Sequence, residues 1–289
     1  GLPASKPPPK TKPLNLISVM STHRKDIYVA SSTHKHLLNS IEVGDLELAK
    51  RLLIGVDINA QNNRGITALY KSVFHNRESL VHLLLKQGAD TNLPDHEGLT
   101  PLHVTALEDL DKLIPSLLDK GAELEAKDSY GYTPLHLATD QGNTKTARTL
   151  IERGANVNNR ADWDTTPLQS SIIRGSSKLV KLLLKIGADI TAKDRLGRSA
   201  LHWAAEKGHL SMAKFLILNG ALIHHQDNEG HTPLHEAARW DQQKMIRLLI
   251  FHGVNVNTKG VDGRTPLHIA IANGNMDIAE LLKRHGAKL

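Results

Sequence analysis

The chain has 289 residues, a formal net charge of +6 and no cysteine, which excludes disulfide frameworks, thiolate metal sites and cysteine nucleophiles. No run of 18 or more apolar residues occurs, so the sequence offers no transmembrane helix. The length sits near the upper limit for one hydrophobic core, and the organisation has to be read from pattern.

Residues 1–33 come first and read as a flexible, Pro- and Lys-rich tail. They carry Lys6, Lys10, Lys12, Arg24 and Lys25 against the single acid Asp26. Pro3, Pro7, Pro8, Pro9 and Pro13 contain no pair three residues apart, so the PxxP spacing of an SH3 ligand is missing. Leu14, Leu16, Ile17, Val19 and Met20 offer an apolar strip to whatever follows, although disorder is the expectation. The chain starts with Gly and lacks a signal-type apolar core, which reads as a fragment of a longer protein.

From residue 34 onward one interval governs everything. The phrase Thr-Pro-Leu-His recurs at Thr100, Thr133, Thr232 and Thr265, with variants from Thr67, Thr166 and Ser199, always in steps of 33. Glycines at 55, 88, 121, 154, 187, 220, 253 and 286 keep the same step, each followed by Ala or Val. Self-similarity at one fixed period predicts stacked copies of a small unit, an open solenoid in place of a closed globule.

The unit at 130–162 shows the local logic. Thr133 is placed to cap a helix whose first residue is Pro134, where a missing N–H costs nothing. Leu135, Leu137 and Ala138 give that helix a narrow apolar face, and Gly142 stops it in the left-handed conformation. A second helix starts at Asn143 or Thr144, turns Ala147, Leu150 and Ile151 inward and stops at Gly154. An Asn-rich stretch and an Asp-x-x-Gly turn then lead to the next copy. Each unit is expected to be two short antiparallel helices and a tight turn or hairpin.

The pattern Asp-x-x-Gly-x-Thr-Pro-Leu-His-x-Ala, followed by Gly and by Leu-Leu-x-x-Gly-Ala-Asp, resembles the ankyrin repeat family over residues 34–289. The resemblance implies an all-α repeat solenoid of stacked helix-turn-helix units with β-hairpin or turn tips, curved with a concave face. Eight units are expected, near 34–63, 64–96, 97–129, 130–162, 163–195, 196–228, 229–261 and 262–289. The first lacks Thr-Pro-Leu-His and looks like an amino-terminal capping repeat.

Seventeen histidines invite a metal or catalytic reading. His103, His136, His202, His235 and His268 occupy the fourth position of the motif, where the resemblance implies hydrogen bonds to neighbouring turns. The stretch His235–Arg239 approaches HExxH, but Arg239 stands where the second ligand is needed. His231 and His235 are four apart, yet His231 precedes the helix, so no metal site is expected. GxGxxG, GxxxxGK[ST] and GxSxG are all missing, and catalysis and cofactors are not expected either.

Function is therefore expected on the surface, at positions that change from unit to unit while the frame stays fixed. The resemblance places these on the concave face. Five of the ten aromatic residues fall there: Phe74, Tyr130, Tyr132, Trp163 and Trp240. They adjoin Arg174, Arg195, Arg198, Lys207, Arg239 and Arg264, with His231 in the same set. Trp, Tyr and Arg dominate interface energetics, at about 2 kcal/mol or more each on truncation. Charge is graded in the same direction: residues 34–160 hold 14 basic and 17 acidic side chains, residues 161–289 hold 17 and 12. Together these predict a protein partner with an acidic, partly apolar segment across units four to eight. Nucleic acid is not expected, nor is a membrane span, and the array is expected to be monomeric on its own and intracellular, in cytoplasm or nucleus. Trp203 and Phe215 follow the apolar frame and read as core.

Two units depart from the pattern. Unit five has Asp164 for Gly, Gln169 for His, and Ser170–Ser171 where apolar and Ala residues are usual. Unit three lacks its mid-unit Gly and places Pro115 near the start of its second helix. Both are candidate weak points or bends. The resemblance also implies hydroxylation sites at Asn92, Asn158 and Asn257, in the loop after Gly-Ala and eight residues after a Leu. A second reading stays open beside the scaffold: a targeting or substrate-recruiting arm of a larger enzyme, channel or effector.

Overall fold

The structure, a computed structural model, describes residues 32–289; the tail expected at 1–33 therefore lies almost wholly outside the described residues. Sixteen α-helices follow in eight pairs: α1 (Ser32–Val43) and α2 (Leu46–Leu52), α3 (Ala68–Phe74) and α4 (Glu78–Lys86), α5 (Pro101–Leu107) and α6 (Ile114–Leu118), α7 (Pro134–Gln141) and α8 (Thr144–Glu152). The second half continues with α9 (Pro167–Arg174) and α10 (Ser177–Lys185), α11 (Ala200–Glu206) and α12 (Leu210–Leu218), α13 (Pro233–Arg239) and α14 (Gln243–Phe251), α15 (Pro266–Ala272) and α16 (Met276–Arg284). No strand is assigned among the described residues; the tips are hydrogen-bonded turns.

Helices of seven to nine residues are marginal alone, and the stack stabilises them through shared core and shared caps. Small buried residues such as Ala106, Ala138, Ala204, Ala237 and Ala270 let the first helices of successive units lie close together. The second helices approach one another less closely. That difference in spacing bends the array, with the first helices on the inner side.

The recurring motif is a cap and a strut at once. Thr133 accepts from the backbone N–H of His136, and the ring of His136 accepts from the N–H of Thr133 at 3.2 Å. A ring Nδ1 that accepts leaves the proton on Nε2, which donates to the Thr165 carbonyl of the next unit at 3.1 Å. His103, His202 and His235 reach Tyr132, His231 and Arg264 in the same way. Gln169 reproduces both contacts by amide chemistry: Oε1 accepts from Thr166 N–H and Nε2 donates to Arg198 O. In unit two Tyr70 replaces His, and its hydroxyl donates to Asp95 at 2.8 Å.

Mid-unit turns need a left-handed residue. Gly142 (φ 81°) supplies it in unit four, while Asp109 (φ 54°) does so in unit three, where glycine is missing. Thr146 of the next unit donates to the Asp109 carboxylate at 2.8 Å. The second helix of that unit is cut to five residues, Pro115 sits in its first turn, and the 3₁₀ turn Asp111–Leu113 precedes it. Leu113, Ile114 and Leu117 remain fully buried, so the core survives the shortening. Trp203 and Phe215 pack against the core but are only half-buried.

Candidate protein-binding surface

Most tips are turns closed by an aspartate side chain. Asp128 Oδ1 accepts from the backbone N–H of Tyr130 and Tyr132 at 2.9 and 2.8 Å, and Asp194 and Asp227 repeat the arrangement. One backbone bond then ties each tip to the next: Asp162 N–H to Tyr130 O, Arg195 N–H to Trp163 O, Asn228 N–H to Leu196 O. The residues whose carbonyls accept these bonds therefore stand in one row. In units four to six that row reads Tyr130, Trp163, Leu196, exposed by 46%, 62% and 46%.

Unit five builds its tip differently. Ala161 stands where Asp95, Asp128, Asp194 and Asp227 stand in other turns, so no carboxylate closes this one, and Trp163 (φ 66°) and Asp164 (φ 57°) are both left-handed. For a bulky residue that conformation costs on the order of 1–3 kcal/mol. It stands the indole out from the array, and the Arg195 guanidinium lies 5.6 Å from its ring centre.

The other expected contact residues divide by what holds them. Arg198 is clamped by Asp194 at 3.0 Å and Glu206 at 3.3 Å and lies 3.6 Å over the Trp203 ring. Lys207 pairs with Glu206, Arg239 with Glu236 and Arg264 with Asp262. Their charge is largely answered within the array. Arg174 is exposed and lies across Gly142, near Asp140. Trp240 is half-exposed at the far end of α13, about 10 Å along the helix from the tip row, and donates to Glu236 at 3.3 Å. Tyr132 is half-buried with its ring edge against His136. His231 is a correction to the expected surface: only 5% of it is exposed, its ring lies against His235, and burial beside Arg239 lowers its pKa.

A buried polar cluster escaped the sequence reading. Asp227, His231 and Glu236 bring one potential ligand atom each within 4.8 Å of one another. Arg239 already sits among them, 3.2 Å from Glu236 and 3.3 Å from His231 Nδ1, and supplies the compensating cation. Spacing along the chain could not reveal it, because Asp227 lies in the turn and Glu236 on the helix.

The loop asparagines are clamps between units. Asn158 Nδ2 donates to Gly187 O and Oδ1 accepts from Asp189 N–H; Asn92 and Asn257 do the same to Gly121 and Glu123, and to Gly286 and Lys288.

Turn, capped helix and strut thus recur through the interior units with small substitutions, and the loop clamp recurs in several of them. The family described as Ankyrin repeats (3 copies) matches residues 37–128, 75–161, 106–194, 156–227 and 201–289. The chain belongs to the ankyrin repeat family. No curated protein matches it. Ankyrin repeats generally mediate protein–protein interaction. No helix among the described residues is long and apolar enough to cross a membrane.

Proposed function

We propose that this ankyrin array recognises an extended, partly apolar segment of a protein partner, laid along the tips of units four to six. The observation that carries the reading is the row Tyr130–Trp163–Leu196, three exposed apolar residues on consecutive tips. Core packing asks for none of them, and the left-handed Trp163 is held outward against its own backbone preference. An acidic residue of the partner fits Arg195 beside the indole, and a second fits Arg174. Arg198, Lys207, Arg239 and Arg264 shape the inner face, with their charge already matched internally.

The test uses a partner cross-linked through a photoreactive group at Ser129 and identified by mass spectrometry, then titrated as purified protein. Trp163→Ala with Arg195→Glu is expected to weaken its binding at least tenfold while the array melts like the parent. Arg198→Glu is a poor probe, because it breaks the Asp194–Arg198–Glu206 network. Undiminished affinity in the Trp163/Arg195 variant would rule out the tip row as the contact.

A further inference from the structure

A second surface lies on the opposite, outer side of the array, between α12 and α14. A groove of about 470 Å³ is lined by Leu210, Lys214 and Leu218 on α12 and by Lys244, Arg247, Leu248 and Phe251 on α14, with His252 at its end. The spacing is that of one face on each helix, so the groove runs between two parallel stripes. It exists because the outer helices are splayed where the inner ones pack closely.

Its composition sets it apart from units two to five and eight. The position of Leu218 and Phe251 is occupied in other units by Lys86, Asp119, Glu152, Lys185 and Arg284. Apart from Leu53 of the first unit, which is buried, only units six and seven place a large apolar side chain there, and Leu218 and Phe251 are 82% and 84% exposed. The helices α10, α12 and α14 contain no acidic residue, yet they carry Lys178, Lys181, Lys185, Lys214, Lys244 and Arg247. Lys214, Lys244 and Arg247 make no hydrogen bond or ion pair among the described residues, unlike Arg153 at the C-terminal end of α8 and Arg284 on α16.

We propose that this groove docks an amphipathic helix from a protein partner, with a Leu or Phe stripe in the groove and Asp or Glu on its flanks. An apolar floor between two helices takes a third helix by the helix-in-groove mode. The unanswered cations along the rim select acidic flanks over basic ones. A concave slot favours an inserted helix over a flat anionic membrane, which would meet the cations but not fill the floor.

Synthetic helical peptides test this on the whole chain. One set carries an i, i+3, i+4, i+7 Leu/Phe stripe with Glu flanks, a matched set carries Lys flanks, and phosphatidylserine vesicles form a third arm. The Glu-flanked set is expected to bind saturably, and Leu218→Glu with Phe251→Glu should weaken it at least tenfold. Lys214→Glu with Arg247→Glu should reverse the preference toward Lys flanks. Both pairs lie on the surface and should leave melting unchanged; Trp163→Ala with Arg195→Glu should leave groove binding intact, which separates this site from the tip row. No saturable binding by any Glu-flanked peptide, equal binding of both peptide sets, or insensitivity to Leu218→Glu with Phe251→Glu would overturn it. So would vesicle binding that the same substitutions abolish while peptides fail, since that would make the face a lipid contact.

Discussion

A histidine that looks catalytic in one dimension can be a strut in three. Burial holds His103, His136, His202 and His235 down at about 4, against an ordinary value of 6.5, because a charged ring there would lose its water. The unfolded chain takes up these protons near pH 6.5 and the folded chain only near pH 4. Their contribution to stability is therefore complete above about pH 6.5 and is lost progressively as pH falls to about 4. Urea midpoints measured at pH 7 and pH 5 should fall accordingly. His136→Gln should keep the fold, as Gln169 does in its own unit, and should shrink the difference between the two midpoints. Trp163 makes the opposite point about a residue kept despite its cost. Trp163→Gly should raise stability by about 1 kcal/mol, or about 2–4 °C in melting temperature, by relieving the left-handed strain. The same variant should lose partner affinity, so calorimetry and titration would move in opposite directions.

At the scale of the element, the frame tolerates substitution where another residue meets the same requirement. Asp109 replaces a glycine by adopting its left-handed turn and drawing Thr146 onto its carboxylate. Pro115 is accommodated by a shortened α6, with fewer intrahelical bonds than the nine-residue α8. Amides of Ile114–Leu118 should therefore exchange with solvent faster than those of Thr144–Glu152, measured by hydrogen exchange at neutral pH. The asparagine clamps are a second element-level device. Asn158→Ala removes two bonds to the next loop and should cost about 1 kcal/mol, with exchange protection lost at Asp189.

For the whole molecule, stability is the sum of units and of the interfaces between them. The buried apolar residues fall into two clusters that meet between units four and five, where Ser170 and Ser171 stand in place of Leu137 and Ala138 of the preceding unit and Trp203 and Ala204 of the following one. Chemical denaturation should show separable loss of the two halves, and Ser170→Ala with Ser171→Ala should draw the transitions together; tryptophan emission, all of it from units five to seven, against far-ultraviolet dichroism would report it. The 33-residue period, the capping threonines, the left-handed glycines and the scaffold role of the motif histidines were all legible in the chain. They are local or periodic, and backbone sterics and helix capping act over a few residues. The surface was legible only in part. Variation between units pointed to Tyr130, Trp163 and Arg195, but pairing across space decided that Arg198, Lys207 and Arg239 are answered internally, that His231 is buried and that Leu196 completes the tip row. The outer groove was equally hidden, since α12 and α14 face one another only once the stack has curved. The sequence by itself determined the repeat and its joints, because each follows from backbone sterics and capping over a few residues; the tertiary structure alone decided which charges and apolar groups remain for a partner, because that depends on how turn and helix fold side chains onto one another within a unit and on the units stacked to either side.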